Sequence, residues 1–540
     1  MSHLFKNPRK RNILILSIIF LAGFFLRFRY ISGAEFPLND GGLFYQMTRE
    51  LIRNNFKLPE FSTYNLNDIP FAYPPLGFYV TGLISQTLNV DLLQVFIWFP
   101  FISNLLAIPV VYLLTKSLLK KDSSALLATA LWTVCLPSFK WLIMGGGVTR
   151  SIAYTASFAS LYFFVTYLEN SKKKNLIYAI LLGGITGLSH LEIFWVLCIS
   201  LFALWFYYKQ TPLKRAIRDL AIYYLGCILV ISPYLITVFS KHGVSPFLAG
   251  FGTGGFDMIK QVFNLILFNF TEEYVFTVIA ALALIGLFYR VTQRQYCFVT
   301  WFFVILFLDP RSVNRSILIV VSILAAVAIE EIIIPALRNG AGTEHTFGHQ
   351  LDCKQIKSKI TDGKKQHILL VSAFFVFQLF LLAYFQYYDE ISPTQKISQN
   401  ELAAFKWITQ NTKPDNTFLV LTSSLNWETD QISEWFPALT NRKSVSTVQG
   451  SEWIPRNGHK LSGDFYDNIN SCLKDSFSCV ENVLLEEEVA VDYYFFSINT
   501  CVAESAICPN LILENALSSN IYQVVYRNPE VVILSYNPEN

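Results

Sequence analysis

Long apolar runs separated by short polar connections occupy the first 388 residues of the chain. The first run, residues 13–28, follows the basic N-terminus MSHLFKNPRKRN, and no small-residue cleavage site comes after it. This pattern favours a retained membrane anchor over a cleaved signal peptide. A bilayer-spanning helix needs about 20 apolar residues, so the runs predict a mainly α polytopic membrane protein with about 11 transmembrane helices. The spans after the first are predicted at residues 92–115, 125–142, 152–168, 176–188, 193–208, 221–239, 275–289, 298–308, 317–334 and 368–387.

The positions of Lys and Arg predict which side of the membrane each connection faces. Strongly basic connections such as KSLLKKDSS, ENSKKKN and KQTPLKRAIRD alternate with connections that are not basic. Because cytoplasmic loops are enriched in Lys and Arg, the N-terminus and these basic loops are predicted to be cytoplasmic. The first loop, 32–91, is then extracytoplasmic, as are the loops that contain MGGGVTR and DPRSVNR. The apolar stretch 74–88 is too short to cross comfortably and is assigned to the outer interface.

A change of composition after residue 388 predicts a second domain. Charged residues, Asn and Ser return, and short β-rich runs such as TFLVLTSS and DYYFFSI alternate with helical stretches such as QNELAAFKWITQNT. The segment IYQVVYRNPEVVILSY is typical of a hairpin that turns at Asn528 and Pro529. The chain therefore divides into a transmembrane domain, 1–388, and a soluble extracytoplasmic α/β domain, 389–540.

Composition agrees with this organisation and excludes several classes of function. Of the 540 residues, 53% are hydrophobic and only 15% are charged, which rules out an ordinary soluble globule. A net charge of +3 gives no reason to expect a nucleic acid partner. The chain has no GxxxxGK[ST] phosphate loop, so ATP hydrolysis is not indicated. We expect an integral protein of the plasma (cytoplasmic) membrane.

Four of the nine cysteines lie in the predicted outer domain: Cys472, Cys479, Cys501 and Cys508. An even number of cysteines in an oxidising compartment suggests two disulfides, whose pairing the sequence does not fix. The alternative is that they are small core residues.

Asp40 is the leading candidate for a catalytic residue. It lies in the first outer loop, just after a span, in the segment FPLNDGGLFYQMTRELIRNNF. A position just before a helical stretch is also typical of an N-cap, which is the structural alternative. Capping alone does not account for the outer segment YPPLGFY, where two prolines and several aromatic residues form a stiff surface on which an acyl chain or a sugar face could stack.

These features resemble the GT-C glycosyltransferases, such as the protein O-mannosyltransferases and the aminoarabinose transferases. The resemblance rests on the acidic residue Asp40 soon after the first span, on Tyr45, and on Tyr73 with the PPLGFY element that follows it. It implies a donor sugar carried on polyprenyl phosphate, an inverting transfer, and Asp40 as the general base. Many relatives carry a second carboxylate directly after the first, where this chain has Gly41. The tail lacks the Trp-rich acceptor motif of the oligosaccharyltransferases.

Three arginines on the predicted outer side are candidates for binding the donor phosphate: Arg150, Arg311 and Arg315. Positive charge is normally depleted on that side, and cations stabilise the charge that develops on a leaving phosphate. An ion pair with Asp309 is the structural alternative for Arg311, whereas Arg150 has no acid near it in sequence.

His190 and Glu192, in the segment GLSHLEIFW, lie at an outer break between two spans. Ionisable residues there are costly unless they face a cavity, so they are predicted to bind the sugar or a metal, or else to form a paired turn. No metal site is predicted from the sequence, although a divalent cation remains compatible with it. Tryptophans of the tail, such as Trp435 and Trp453, suggest either a ligand-binding face or core packing.

We therefore predict a membrane enzyme that moves a sugar from a polyprenyl-phosphate donor to an extracytoplasmic acceptor, which is a protein, a lipid or a glycan. Its expected partners are that donor, membrane lipids and the unidentified acceptor. The alternatives are a transporter or flippase of a lipid-linked solute, which would use the same outer cavity without making a bond, and a non-catalytic assembly protein.

Overall fold

The computed structural model describes residues 7–32, 34–253, 258–267, 270–272, 277–309, 311–340, 397–424, 426–454, 458–498, 509–519 and 521–536, together with positions 373, 374, 376–378 and 380. The first part of the chain is helical apart from one two-stranded ribbon, β1 (Phe61–Ser62) and β2 (Ile69–Pro70), in the first outer loop. Its helices are α1 Pro8–Ile31, α2 Gly42–Arg53, α3 Leu76–Leu88, α4 Leu92–Leu119, α5 Asp122–Val134, α6 Gly147–Asn170, α7 Lys173–Ser189, α8 Leu191–Tyr208, α9 Leu213–His242, α10 Ser245–Gly252, α11 Met258–Ile266, α12 Val278–Thr292, α13 Cys297–Leu308, α14 Val313–Ser316, α15 Leu318–Val327 and α16 Ile334–Gly340.

Several of these helices are able to cross a membrane by length and composition, so the chain is an integral membrane protein. In the described residues six helices meet that test, or seven when one sharply bent pair counts as a single span. Two further apolar helices, α12 and α13, are shorter. The last predicted span, 368–387, lies largely outside the described residues. The total of about 11 spans stays a prediction.

Two spans differ from their predicted form. The segment 125–142 is not one straight helix, because α5 ends at Val134 and the chain leaves it at an angle of 89°. Pro137 starts the short turn after this bend, where a residue without a backbone N–H cannot continue the helix. The span predicted at 176–188 is longer than predicted, since helix α7 begins at Lys173 and ends at Ser189, and it meets α8 at the extended residue His190.

A buried arginine in the first span holds the bend after α5. The Arg27 guanidinium donates to the side chain of Asn104 and to the Ser138 hydroxyl, and it lies 4.7 Å from the centre of the Phe139 ring. Asn104 in turn donates to the Ser138 carbonyl at 2.9 Å. Burying an unpaired cation is costly unless its donors are satisfied, and these acceptors satisfy it. The bend is thereby fixed, and it delivers the glycine-rich segment 145–147 to the start of α6.

After residue 397 the chain forms a five-stranded mixed sheet with helices packed on it. The strands are β3 Thr417–Leu421, β4 Lys443–Ser444, β5 Tyr493–Ser497, β6 Tyr522–Arg527 and β7 Val531–Tyr536, and the helices are α17 Gln399–Asn411, α18 Gln431–Thr440, α19 Gly458–Cys472, α20 Phe477–Glu486 and α21 Pro509–Ser518. The strand order is β4-β3-β5-β7-β6, with β4, β3 and β5 parallel and β7 antiparallel to both of its neighbours. The predicted hairpin is confirmed, since Asn528 accepts hydrogen bonds from the Glu530 and Val531 amides at its turn.

One hydrophobic core joins the first outer loop to the C-terminal sheet. Fully buried side chains of the loop, such as Phe36, Tyr64 and Phe78, belong to the same cluster as Trp435 and Phe495 of the C-terminal region. Aromatic side chains bury large apolar areas, and the edge-to-face contact of Phe36 with Trp435, at 4.6 Å between ring centres, adds to this burial. The outer loop is therefore packed between the helical part and the C-terminal region, and Asp40 lies at this junction.

Candidate active site

Asp40 lies where the first outer loop meets the start of helix α6. Its carboxylate accepts a hydrogen bond from the Gly146 amide at 2.9 Å and forms an ion pair with Arg150. It does not cap its own helix, because the N-cap of α2 is Gly41 and no side chain caps that end. Both side chains of the ion pair keep 17% of their surface exposed. A ligand can therefore reach the carboxylate from solvent.

Glycines make this close approach possible. Gly41 has a φ of 125°, a conformation that side chains with a Cβ rarely adopt. A Cβ atom on Gly145 would lie 2.1 Å from the carbonyl oxygen of Asp40, and one on Gly146 would lie 2.5 Å from its Oδ2. The loop and the start of α6 also share a backbone hydrogen bond, from the Gly145 amide to the Leu38 carbonyl at 3.0 Å. The absence of side chains in the glycine run 145–147 thus lets Asp40 pack directly against this backbone.

A second carboxylate stands beside Asp40, and it comes from the C-terminal region. Oε1 of Glu434 accepts hydrogen bonds from the Gly41 and Gly42 amides at 2.7 and 2.9 Å. These amides belong to the N-terminal end of α2, where backbone donors lack partners within the helix. Burial and the nearby charge of Asp40 raise the pKa of Glu434 to about 8, although the two amides act in the opposite direction. Asp40 and Glu434, which are far apart in sequence, are thus brought together by the fold.

The residues next to Glu434 add further contacts to the same loop. The Trp435 indole N–H donates to the Asn39 carbonyl at 2.7 Å, and the Tyr64 hydroxyl donates to the Glu434 carbonyl at 2.5 Å. Trp435 is fully buried, so of its two predicted roles it has that of core packing. Every residue from Asn39 to Gly42 is therefore held by side chains or backbone distant in sequence.

The two tyrosines predicted to bind substrate lie on either side of this junction. Tyr45 is half-buried in α2 and packs against Trp435, with 5.6 Å between the ring centres. Tyr73 bonds through its hydroxyl to the Thr149 hydroxyl at 3.3 Å, one residue before Arg150. Burial raises the pKa of Tyr73 to about 12, so the phenol stays protonated at neutral pH. The Tyr73 ring also meets His190 and Trp453 edge to face, at 6.0 and 5.6 Å.

His190 is thus brought near the Asp40 junction, as its predicted role requires. Its pKa lies well below the ordinary value because burial and the charges of Arg150, Arg315 and Arg311 all disfavour a proton. A neutral imidazole is a hydrogen-bonding group that carries no charge of its own. Since the charges of all three arginines affect the His190 ring, His190 lies near the side chains that are predicted to bind phosphate.

Glu192 and Asp309 line the same side of the helical part. Burial raises the pKa of Asp309, and the charge of Glu192 acts in the same direction. The predicted alternative for Arg311 was an ion pair with Asp309, but in the described residues Asp309 accepts the backbone amides of Arg311 and Ser312 instead. The Arg311 side chain is exposed. It is therefore available to a ligand.

Arg315 is less free than Arg311. Its guanidinium donates to the Ser312 hydroxyl and lies 5.9 Å from the centre of the Trp141 ring. Arg150 is engaged with Asp40, an acid that is 110 positions away in sequence. The three arginines thus differ, since Arg150 is paired with the predicted base, Arg315 is half-buried and bonded to Ser312, and Arg311 is exposed.

Several polar atoms around the junction are buried without a hydrogen-bond partner among the described residues. They are Arg150 Nε, His190 Nδ1, Glu192 Oε1 and Asp309 Oδ2. A buried polar atom without a partner costs free energy, so such atoms are concentrated where a bound molecule completes them. This set contains both hydrogen-bond donors and acceptors, so it suits a ligand rich in hydroxyl groups, which can donate and accept.

The structure describes no cluster that would hold a metal ion. No group of three or more His, Cys, Asp or Glu side chains with suitable spacing occurs in the described part of the chain. Both oxygens of Asp40 and Oε1 of Glu434 already accept the donors given above. In the C-terminal region Cys472 and Cys479 form a disulfide, whereas Cys501 and Cys508 lie outside the described residues.

The sequence alone missed Glu434 as a neighbour of Asp40. The two glycines that Glu434 binds precede it by 393 and 392 positions, and no local pattern links them. The sequence did contain a signal for the glycines at the start of α6 that contact Asp40. The run GGG at 145–147, just after an apolar segment, is typical of a close backbone approach.

Comparisons with known proteins give one family match and several similar structures. A family model described as dolichyl-phosphate-mannose-protein mannosyltransferase matches residues 72–236, which include Tyr73, Arg150, His190 and Glu192. No curated protein matches the chain in sequence.

Solved structures of low sequence identity resemble the whole described architecture. The archaeal oligosaccharyltransferase AglB from Archaeoglobus fulgidus, in complex with an inhibitory peptide and a dolichol-phosphate, is similar with a TM-score of 0.58 and 13% identity, over 98% of this chain and 74% of that chain. ArnT from Cupriavidus metallidurans bound to undecaprenyl phosphate is similar with a TM-score of 0.51 and 11% identity, over 99% of both chains.

A third structure, the arabinofuranosyltransferase AftD from Mycobacteria, is similar with a TM-score of 0.55 and 11% identity. The likeness covers 97% of this chain but only 40% of that one. At such identities the likeness shows a common fold. It confirms the fold expected from the resemblance noted in the sequence.

Proposed function

We propose that this chain is a GT-C glycosyltransferase that transfers a sugar from a polyprenyl-phosphate donor to an extracytoplasmic acceptor with inversion of the anomeric centre. Asp40 is the general base. The observation that carries this proposal is the position of the Asp40 carboxylate, held by the Gly146 amide and Arg150 and still accessible to solvent.

The reaction needs a base because a neutral hydroxyl group is a poor nucleophile. The acceptor hydroxyl gives its proton to the Asp40 carboxylate while its oxygen forms a bond to the anomeric carbon. The bond from that carbon to the donor phosphate breaks, and polyprenyl phosphate leaves with the electron pair. Arg150 orients the carboxylate through its ion pair and leaves lone pairs on both oxygens for the acceptor.

The leaving phosphate requires cations near the membrane surface. We assign this role first to Arg311, whose exposed side chain has no carboxylate partner in the described structure, and then to Arg315. Because Arg150 is paired with Asp40, we assign it to orienting the base rather than to binding the phosphate. Tyr73, His190 and Glu192 border the space between these groups, and we place the donor sugar there because their unpartnered polar atoms suit its hydroxyl groups.

The proposed orientation follows from the charge pattern. The N-terminus faces the cytoplasm, the first outer loop and the C-terminal domain, 389–540, lie on the opposite side, and the membrane is the plasma membrane. The packing of the outer loop against the C-terminal sheet supports this arrangement, because parts that share one core must lie on one side of the bilayer. The acceptor then approaches from the C-terminal side of Asp40.

A transfer assay tests the proposal. Purified protein in membranes is supplied with a panel of polyprenyl-phosphate sugars, and the product is detected by mass spectrometry. Asp40→Asn should lower transfer by about a thousandfold, as expected for loss of a general base. Glu60→Gln, which changes an exposed acid of the same outer loop, is the matched control and should be fully active.

A further inference from the structure

We propose that Glu434 is a positioning residue for this transfer: from the C-terminal region it holds the Gly41–Gly42 backbone and thereby fixes the carboxylate of Asp40. The inference rests on the proposed function and extends it, because it makes the C-terminal region a part of the active site. Glu434 does not act as a base here; it acts through the loop that it binds.

The geometry of the contact supports positioning rather than simple packing. One oxygen of Glu434 accepts two successive amides, at 2.7 and 2.9 Å, directly after Asp40 in the chain. A carboxylate that accepts two backbone amides fixes their direction as well as their distance. Because Asp40 shares a peptide plane with Gly41, the orientation of the Gly41 amide limits where the Asp40 carboxylate can point.

The backbone of the loop has little room to move relative to α18. A Cβ atom on Gly42 would lie 2.5 Å from the Glu434 carbonyl oxygen, so the two backbones are already in contact. Trp435 binds the Asn39 carbonyl on the N-terminal side of Asp40. The loop is therefore held on both sides of the catalytic residue by two consecutive residues of α18.

A carboxyl group at this place is costly, which indicates a specific role. Glu434 is 5% exposed and lies near Asp40, whose charge disfavours ionisation of a second acidic group. Burying a group of this kind without need is unfavourable, and an apolar side chain of similar size would pack at lower cost. The two amides explain its presence, since without Glu434 they would be buried donors with no acceptor.

Hydrogen–deuterium exchange of the full-length protein tests the contact without reference to activity. In Glu434→Ala, peptides covering residues 38–45 should exchange about tenfold faster or more, because two amides lose their acceptor. Glu434→Gln keeps an acceptor oxygen of the same reach and should exchange like the wild type. Glu401→Ala is the matched control: Glu401 is also a buried carboxylate of the C-terminal region that accepts a backbone amide, from Ser398 at 2.8 Å.

Transfer kinetics then test the consequence for Asp40. Glu434→Ala should lower kcat by about a hundredfold, as a misplacement near 1 Å does, while the KM for the lipid donor changes little. Glu434→Gln should restore most of kcat, which a merely structural loss of stability does not explain. Unchanged exchange in Glu434→Ala, or an equal loss of kcat in Glu401→Ala, would overturn the inference.

The two proposals fail in different ways. If the wild type transfers no sugar from any donor in the panel, the proposed function is wrong, and the exchange comparison still decides whether Glu434 holds the loop. If the wild type is active and Asp40→Asn is not, but Glu434→Ala keeps both its kcat and its slow exchange, only the inference about Glu434 is wrong.

Discussion

Asp40 and Arg150 are 110 positions apart in the chain and form an ion pair at the start of helix α6. The pair gives Arg150 the acidic partner that its sequence neighbourhood lacks. It also ties the first outer loop to α6, a helix that is long and apolar enough to cross a membrane.

Replacing Arg150 by Gln should disable the base without removing it. The Asp40 carboxylate would keep the Gly146 amide but lose its cation, and its side chain would be free to turn away from the acceptor. We expect transfer to fall by about a hundredfold through kcat. Arg311→Gln serves as the comparison, since a residue that binds only the donor phosphate should mainly raise the KM for the lipid. If Arg150→Gln and Arg311→Gln changed kcat and the KM for the lipid to the same extent, this division of roles would be contradicted.

Gly42→Ala should disturb the junction for steric reasons. The added Cβ would lie 2.5 Å from the Glu434 carbonyl oxygen, which is backbone and has little room to move. We expect a lower melting temperature in detergent and at least a tenfold loss of transfer, roughly the cost of a misplaced catalytic group. Gly463→Ala places the same methyl group in α19 with no atom within 4 Å and should lower neither quantity, since Ala is the better helix former.

The stability of the protein should depend on pH through Glu434. Burial and the charge of Asp40 raise its pKa to about 8, so the folded state binds this proton more tightly than the unfolded state does. Its contribution is therefore fully present below the ordinary pKa of a glutamic acid and is lost as the pH rises towards 8. Thermal unfolding at several pH values should show the wild type losing stability relative to Glu434→Gln between these limits. Parallel curves for the two proteins would contradict the assignment.

The disulfide between Cys472 and Cys479 should stabilise the C-terminal region. The two cysteines are seven positions apart, and closing such a short loop contributes about 2 to 3 kcal/mol. Cys472→Ser together with Cys479→Ser should lower the melting temperature of the C-terminal region. Transfer at low temperature should be unchanged, because neither residue contacts the Asp40 junction. Loss of activity in a protein that is still folded would contradict this separation.

The helical architecture was accessible from sequence for a physical reason, and so was the choice of Asp40 as a candidate. Apolar runs must match the thickness of a bilayer, and the Lys and Arg pattern places the loop that contains Asp40 on one side. The bend within the predicted span 125–142 was harder to predict from the sequence. The break after Val134 depends on Pro137 and on Arg27, which binds Ser138 from another helix.

The partners of Asp40 could not be inferred in the same way. Arg150 was chosen as a phosphate ligand because it has no acid near it in sequence, yet the fold provides one. Glu434 was visible only as one acid in a Trp-rich segment of the tail. Both contacts join segments more than a hundred positions apart, and such contacts are set by tertiary packing that no local pattern records.

The most direct measurement of the central claim is sugar transfer by Asp40→Asn beside the wild type and Glu60→Gln, in membranes supplied with polyprenyl-phosphate sugars. We expect product from the wild type and from Glu60→Gln, and a loss of about a thousandfold in Asp40→Asn with donor binding retained. Full transfer by a folded Asp40→Asn protein would contradict it.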